Sequence, residues 1–206
     1  MNTMYIGSGD VTALMSKKDS QSHLTLLRRF VSGVKPYYNA RASPIDALRT
    51  GAILEDRYLL TLPDNYFAQY VCTSAEMDVF KCSLDFAKIE NGQVADFDEL
   101  KSVYLSDYLE FEQYKDDPDA LLAYVKKKYK HYYYQVQEQL FCTDLDGCNL
   151  VFLSVTTYDD EENLTRDIQP NEFIKVQIHR NEKVIQEIKD RGAIFQQIKD
   201  YYSNKV

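Results

Sequence analysis

Between Val79 and Val103 the chain alternates apolar and polar positions, breaks at Asn91-Gly92 and alternates again: VFKCSLDFAKIENGQVADFDELKSV. Period-two alternation marks a strand with one buried face, and Asn-Gly between two such runs is the strongest short-range hairpin signal. The spacing therefore predicts an antiparallel hairpin at the centre of the fold. Shorter strand patterns occur at Phe67 to Cys72, Asn149 to Thr156 and Phe173 to Arg180. The second of these is almost wholly apolar, as in a strand covered on both faces.

Elsewhere the period changes to that of a helix. Ser8 is a candidate N-cap for a short helix through Val11, Leu14 and Met15, and Leu24, Leu26, Leu27 and Phe30 form a second pattern that Gly33 and Pro36 stop. Ser43-Pro44 with Asp46 gives the strongest N-terminal signature, and from it Leu48, Ala52, Glu55 and Leu59 fall on one stripe. Pro63-Asp64-Asn65 ends that helix. Tyr104 to Lys115 reads as irregular or partly helical. Asp117-Pro118 opens a long helical pattern from Asp119 to about Cys142, bent near Tyr132. Asn181 caps a final helix with Val184, Ile188, Phe195, Ile198 and Tyr202 on its inner stripe. Helices flanking several strands predict a mixed α/β sandwich.

Composition narrows this picture only moderately. The 206 residues, 45% hydrophobic and 27% charged, fit one globular domain over 1–206. A net charge of −8 argues against a protein that holds nucleic acid by bulk electrostatics, but allows a local groove with a bound metal. Cys72, Cys82, Cys142 and Cys148 lack CxxC spacing, which points to scattered, reduced thiols rather than a zinc ribbon or redox pair. The start has no apolar run of signal-peptide length, and no stretch is long enough to span a membrane. A cytoplasmic protein is expected.

The chemistry concentrates on the hairpin. Residues two apart on a strand share a face, so Glu99 and Lys101 point the same way, and a short turn at Asn91-Gly92 brings Asp85 directly or diagonally opposite Glu99. Two carboxylates and an ammonium at one point suit a hard divalent cation and a phosphodiester. Glu55 places a carboxylate on an apolar helix stripe, which is costly unless paired or bound to metal. On the long helix Tyr124, Lys128, Tyr132, Gln135 and Gln139 fall along one side. The run Lys126-Lys127-Lys128-Tyr129-Lys130-His131 is the densest positive charge in the chain, either a solvated face or a phosphate-binding wall. Arg28, Arg29, Lys35 and Arg41 make the early region basic, with the same two readings.

The order of these parts resembles the PD-(D/E)xK nuclease superfamily, and more closely the phage lambda exonuclease or YqaJ-like viral recombinase family. The matching segments are Gly51 to Glu55, Cys82 to Asp85, Glu99-Leu100-Lys101, Tyr132 to Gln137, Val176 to Lys183 and the opening Gly7 to Val11. The resemblance implies a restriction-endonuclease-like core, a central mixed β-sheet flanked by helices. It implies that Asp85, Glu99 and the carbonyl of Leu100 bind Mg²⁺, with Mn²⁺ able to substitute and Glu55 as a further acidic ligand or as a group acting through water. Lys101 would position or activate the attacking water, and Gln135 would support the site. Ser8, Arg28, Arg41, Lys128 and Tyr132 are the candidate DNA contacts. The implied activity is 5′-to-3′ degradation of one strand at linear duplex DNA ends for phage-type recombination in a bacterial host cell. A ring-like homotrimer and a single-strand annealing partner are implied with it, and no membrane. An endonuclease or Cas4-like nuclease of the superfamily, or a non-catalytic DNA-binding protein on the fold, is the alternative. The chain departs from the family in carrying Leu84 and Phe86 beside Asp85, where a Pro and a Gly are usual. It also has no basic residue before Ser8 to hold a 5′-phosphate, leaving Lys17, Arg28, Arg29 or Arg41 to replace it.

Overall fold

Five strands form one sheet in chain order: β1 (Tyr66–Thr73), β2 (Lys81–Glu90), β3 (Gln93–Tyr104), β4 (Gly147–Val155) and β5 (Phe173–His179). The computed structural model describes residues 4–33, 46–155, 165–169 and 172–204. Neighbouring strands are antiparallel except β3 and β4, which run parallel. Parallel neighbours need a long crossover, and here it carries α4 (Leu105–Glu112), α5 (Pro118–Lys128) and α6 (Lys130–Thr143). Among the described residues the other α-helices are α1 (Val11–Leu14), α2 (Gln21–Ser32), α3 (Asp46–Leu59) and α7 (Glu182–Ser203). The result is the expected α/β architecture, a mixed sheet flanked by helices.

The continuous apolar run on β4 has its cause in this layering. Cys148, Leu150 and Phe152 enter a large cluster with α1, α2, α6 and α7, while Val151, Leu153 and Val155 enter a second with Leu54 and Tyr58 of α3. Both faces are covered, so alternation disappears. β1 is an edge strand and largely exposed.

The hairpin turns at Asn91 and Gly92, with φ of 52° and 78°, the two left-handed residues that a type I′ turn requires. Pairing starts at Glu90↔Gln93 and Ile89↔Val94, then jumps to Lys88↔Asp96, so Ala95 is an extra residue on β3. Beyond this bulge Phe86 faces Asp98, and the same register carried one pair further would set Asp85 opposite Glu99.

Several sequence expectations change. Gly7, not Ser8, caps the first turn: Asp10 accepts the Gly7 amide at 3.1 Å, and Ser8 lies buried within a 3₁₀ turn. The expected long helix is two helices broken at Tyr129 (φ −117°, ψ 41°) rather than one bent at Tyr132. The break lets α5 lie against β5 while α6 turns to cross β1, β2 and β4, with the Tyr129 ring stacked on Phe111. On α7 Tyr202 is exposed, and Ile185, Ile188, Gly192 and Phe195 form the buried stripe. The Phe80 ring occupies the space a side chain at Gly192 would need. The Ser43-Pro44 signature and the Leu48 side chain lie outside the described residues.

Candidate active site

Two strands, β2 and β3, bring Asp85, Glu99 and Lys101 together. After Phe86 the β2–β3 ladder stops, and the Asp85 carboxylate takes over as partner, accepting the Leu100 amide at 3.0 Å. The face alternation of β2 also breaks here. Leu84 packs in the large cluster and Phe86 in the smaller one, although residues two apart on a regular strand share a face. Leu84 and Phe86 thus anchor the strand on either side of the sheet.

Glu99 is 1% exposed and fully engaged. Its Oε1 accepts from Lys101 Nζ at 2.5 Å and from the Gln135 amide, and its Oε2 from Gln139 at 2.7 Å. Gln135 and Gln139 are one turn apart on α6, which explains how one helix face grips both oxygens. Lys101 Nζ also lies 3.8 Å from Asp85 Oδ2 and 5.4 Å from the centre of the Tyr132 ring. The lysine therefore bridges the two carboxylates. Burial first, then the neighbouring Glu99 charge, push the Asp85 carboxyl well above its ordinary range, against the pull of Lys101. Burial works against the Lys101 ammonium, but Glu99 and Asp85 outweigh it and raise its pKa.

Glu55 reaches the same region from α3, and its charge acts on Asp85. The Gln69 amide donates to Glu55 at 3.0 Å and accepts from Ser83 at 3.1 Å. Gln69 stands opposite Asp85 on β1 with φ of 54°, a left-handed conformation rare for glutamine. Asp85, Glu99, Glu55 and the Leu100 carbonyl are hard oxygen donors of the kind Mg²⁺ or Mn²⁺ selects. The oxygens of the three carboxylates do not all lie within 4.8 Å of one another, and the lysine stands between those of Asp85 and Glu99.

The expected DNA contacts do not gather at this point. Ser8 is buried, and Arg28 lies exposed on α2. Arg29 on the same helix pairs with Asp10 and lines a cavity of about 370 Å³ with Gln21 and Thr25. Arg41 lies outside the described residues. Lys128 is held by Asp107 at 2.9 Å and Glu110 at 2.8 Å, whereas Lys127 is exposed and the exposed Lys126 sets its ammonium 5.1 Å from the centre of the Tyr133 ring. Of the four that are described, Tyr132 alone joins Lys101.

Sequence reasoning missed Gln69 and Asp98. No residue-type signal marks Gln69, since glutamine has no preference for left-handed backbone. Asp98 is 0% exposed on the opposite face of β3 and accepts from Tyr58 at 2.7 Å, Asn149 at 2.8 Å and Lys175 at 2.8 Å. Alternation could have separated it from Glu99, but its three donors come from α3, β4 and β5. They make it a satisfied structural acid.

No family model matches the chain, and no curated protein matches its sequence. Among solved structures, the fold is similar to an alkaline exonuclease, LHK-Exo, from Laribacter hongkongensis. The two share 14% identity over 99% of this chain and 94% of that one, with a TM-score of 0.63. The same exonuclease in complex with dAMP gives 16% identity over the same shares and a TM-score of 0.60. A phage-related exonuclease from Haemophilus somnus 129PT gives 15% identity over 98% and 96%, with a TM-score of 0.57. At these identities the likeness establishes the fold. No helix among the described residues is long and apolar enough to cross a membrane.

Proposed function

We propose that this chain is a Mg²⁺-dependent deoxyribonuclease that degrades one strand of linear duplex DNA from 5′ to 3′, leaving a single strand for phage-type recombination. The observation that carries this reading is Lys101 set between Asp85 and Glu99 where the hairpin ladder parts. The shared fold with two exonucleases supports it.

Asp85, Glu99 and the Leu100 carbonyl would hold the metal, with Glu55 as a further acid and Mn²⁺ as a substitute. Bound there, a divalent cation supplies Lewis acidity at the phosphate and lowers the pKa of water. The chain's own groups do the positioning. Leu100 N–H fixes one Asp85 oxygen, Gln135 and Gln139 aim Glu99, and Lys101 orients the attacking water and meets charge developing on the phosphate. The water oxygen joins phosphorus as the phosphorus–O3′ bond breaks, and a water proton ends on O3′. A homotrimer and a single-strand annealing partner belong to the same reading; sedimentation of the purified chain tests the first.

The deciding experiment is digestion of end-labelled linear duplex DNA carrying 5′-phosphate or 5′-hydroxyl ends, beside closed circular DNA, with Mg²⁺. Shortening of the linear strand from its 5′ end alone, lost in Asp85→Ala, is the expected result. Identical behaviour of wild type and Asp85→Ala overturns the reading, and cutting of circles points to the endonuclease instead.

A further inference from the structure

The cysteines that look scattered in sequence converge in space. Cys82 Sγ on β2, Cys142 Sγ on α6 and a carboxylate oxygen of Glu138 all lie within 4.8 Å of one another, and all three residues are buried. Glu138 and Cys142 are one helical turn apart and face the same way, with the Cys142 thiol donating to Glu138 at 3.2 Å. Cys72 is the cross-strand partner of Cys82 on β1, so the two side chains share one face of the sheet. Two thiols and one carboxylate thus meet from two elements, and the cross-strand Cys72 brings a third thiol beside Cys82.

We propose that this cluster is a zinc site, with Cys82, Cys142 and Glu138 as ligands and Cys72 as the fourth. The donor set decides the metal. Thiolates select a soft or borderline ion over Mg²⁺, and three sulfurs with one oxygen suit tetrahedral zinc. Zinc–sulfur bonds of about 2.3 Å place tetrahedral ligand atoms roughly 3.8 Å apart, a spacing small side-chain rotations reach from the observed one. Four protein ligands leave no open position, so the ion is structural. It ties β2, which carries Asp85, to α6, which carries Gln135 and Gln139. A clamp at this place holds the two halves of the carboxylate site in register without entering it.

The test uses Co²⁺ alone as the probe on the full chain, together with zinc content after purification and dialysis against Mg²⁺. Expected are one retained zinc per chain and, after cobalt exchange, a thiolate-to-cobalt charge-transfer band in the near ultraviolet. Both persist in Asp85→Ala and disappear in Cys142→Ser. Because the band does not depend on Asp85, loss of nuclease activity and loss of this site register separately. Should Cys142→Ser fail to fold, Cys72→Ala on the exposed edge strand must weaken the band. No retained zinc and no cobalt band overturn the proposal, as does a band indifferent to both cysteine variants. So do a Cys82–Cys142 disulfide in the purified protein and a visible iron–sulfur chromophore in place of zinc.

Discussion

The Lys101 ammonium lies 2.5 Å from the Glu99 carboxylate and occupies the gap between that acid and Asp85. In this arrangement the lysine neutralises charge that a divalent ion would otherwise meet. Replacing it by methionine strands a buried carboxylate, at a cost toward the lower end of the roughly 3–5 kcal/mol for breaking a buried pair, because Gln135 and Gln139 still donate. Lys101→Met is therefore expected to melt lower in EDTA and to recover much of the loss with Mg²⁺, while DNA turnover stays low. Asp85→Ala should lose metal affinity and turnover together. Thermal melts and calorimetry with and without Mg²⁺ separate the two; equal loss of metal affinity in both variants contradicts the assigned roles.

Gln69 holds Glu55 from a left-handed backbone that costs on the order of 1–3 kcal/mol at a non-glycine residue. Gln69→Gly relieves that strain and removes the amide. Stability should hold or rise slightly, whereas metal affinity or turnover should fall about 10–100-fold, the usual effect of losing a group that orients a ligand. Denaturant melts and Mg²⁺ titration of activity test this, and full activity in the glycine variant excludes a positioning role.

Neutralising Lys126, Lys127 and Lys128 together should weaken DNA binding and flatten its dependence on salt. The pairing of Lys128 with Asp107 and Glu110 refines the expectation: Lys126→Gln and Lys127→Gln should carry most of the change, and Lys128→Gln little. Binding isotherms at several salt concentrations give the slopes. A slope unaltered in the triple variant identifies the run as a solvated face.

His131 beside Tyr132 has its pKa held below the ordinary value, first by burial and then by the Lys101 charge. A lowered folded pKa means that the unfolded chain binds the proton more readily, so stability rises with pH through the window between the folded value and about 6.5. The contribution is small at this exposed position. Proton NMR should find the imidazole neutral at pH values where free histidine is half charged. Lys101→Met should move its titration part of the way back. A midpoint that stays put in that variant removes Lys101 as a cause.

Much of the fold was readable because its signals are local. Asn91-Gly92 announced the hairpin, Asp117-Pro118 and Asn181 announced their helices, and period-two spacing put Glu99 and Lys101 on one face. What escaped depends on partners far away in the chain. The break at Tyr129 follows from a ring stack with Phe111, and the burial of Asp98 depends on Tyr58, Asn149 and Lys175. The meeting of Cys82 and Cys142 needs α6 laid across the sheet, which no spacing rule encodes.

Ala95 has no side chain that could bind, donate or catalyse, yet it determines which acid serves. A hairpin zipped evenly from Glu90 and Gln93 would align Asp85 with Asp98 and turn Glu99 toward α3. Two acids adjacent in sequence would then exchange a structural and a chemical post. Length, rather than residue type, is the fragile property of this segment: deleting one alanine just past the turn would rewrite the centre as thoroughly as mutating it, while most substitutions at the same position would pass unnoticed.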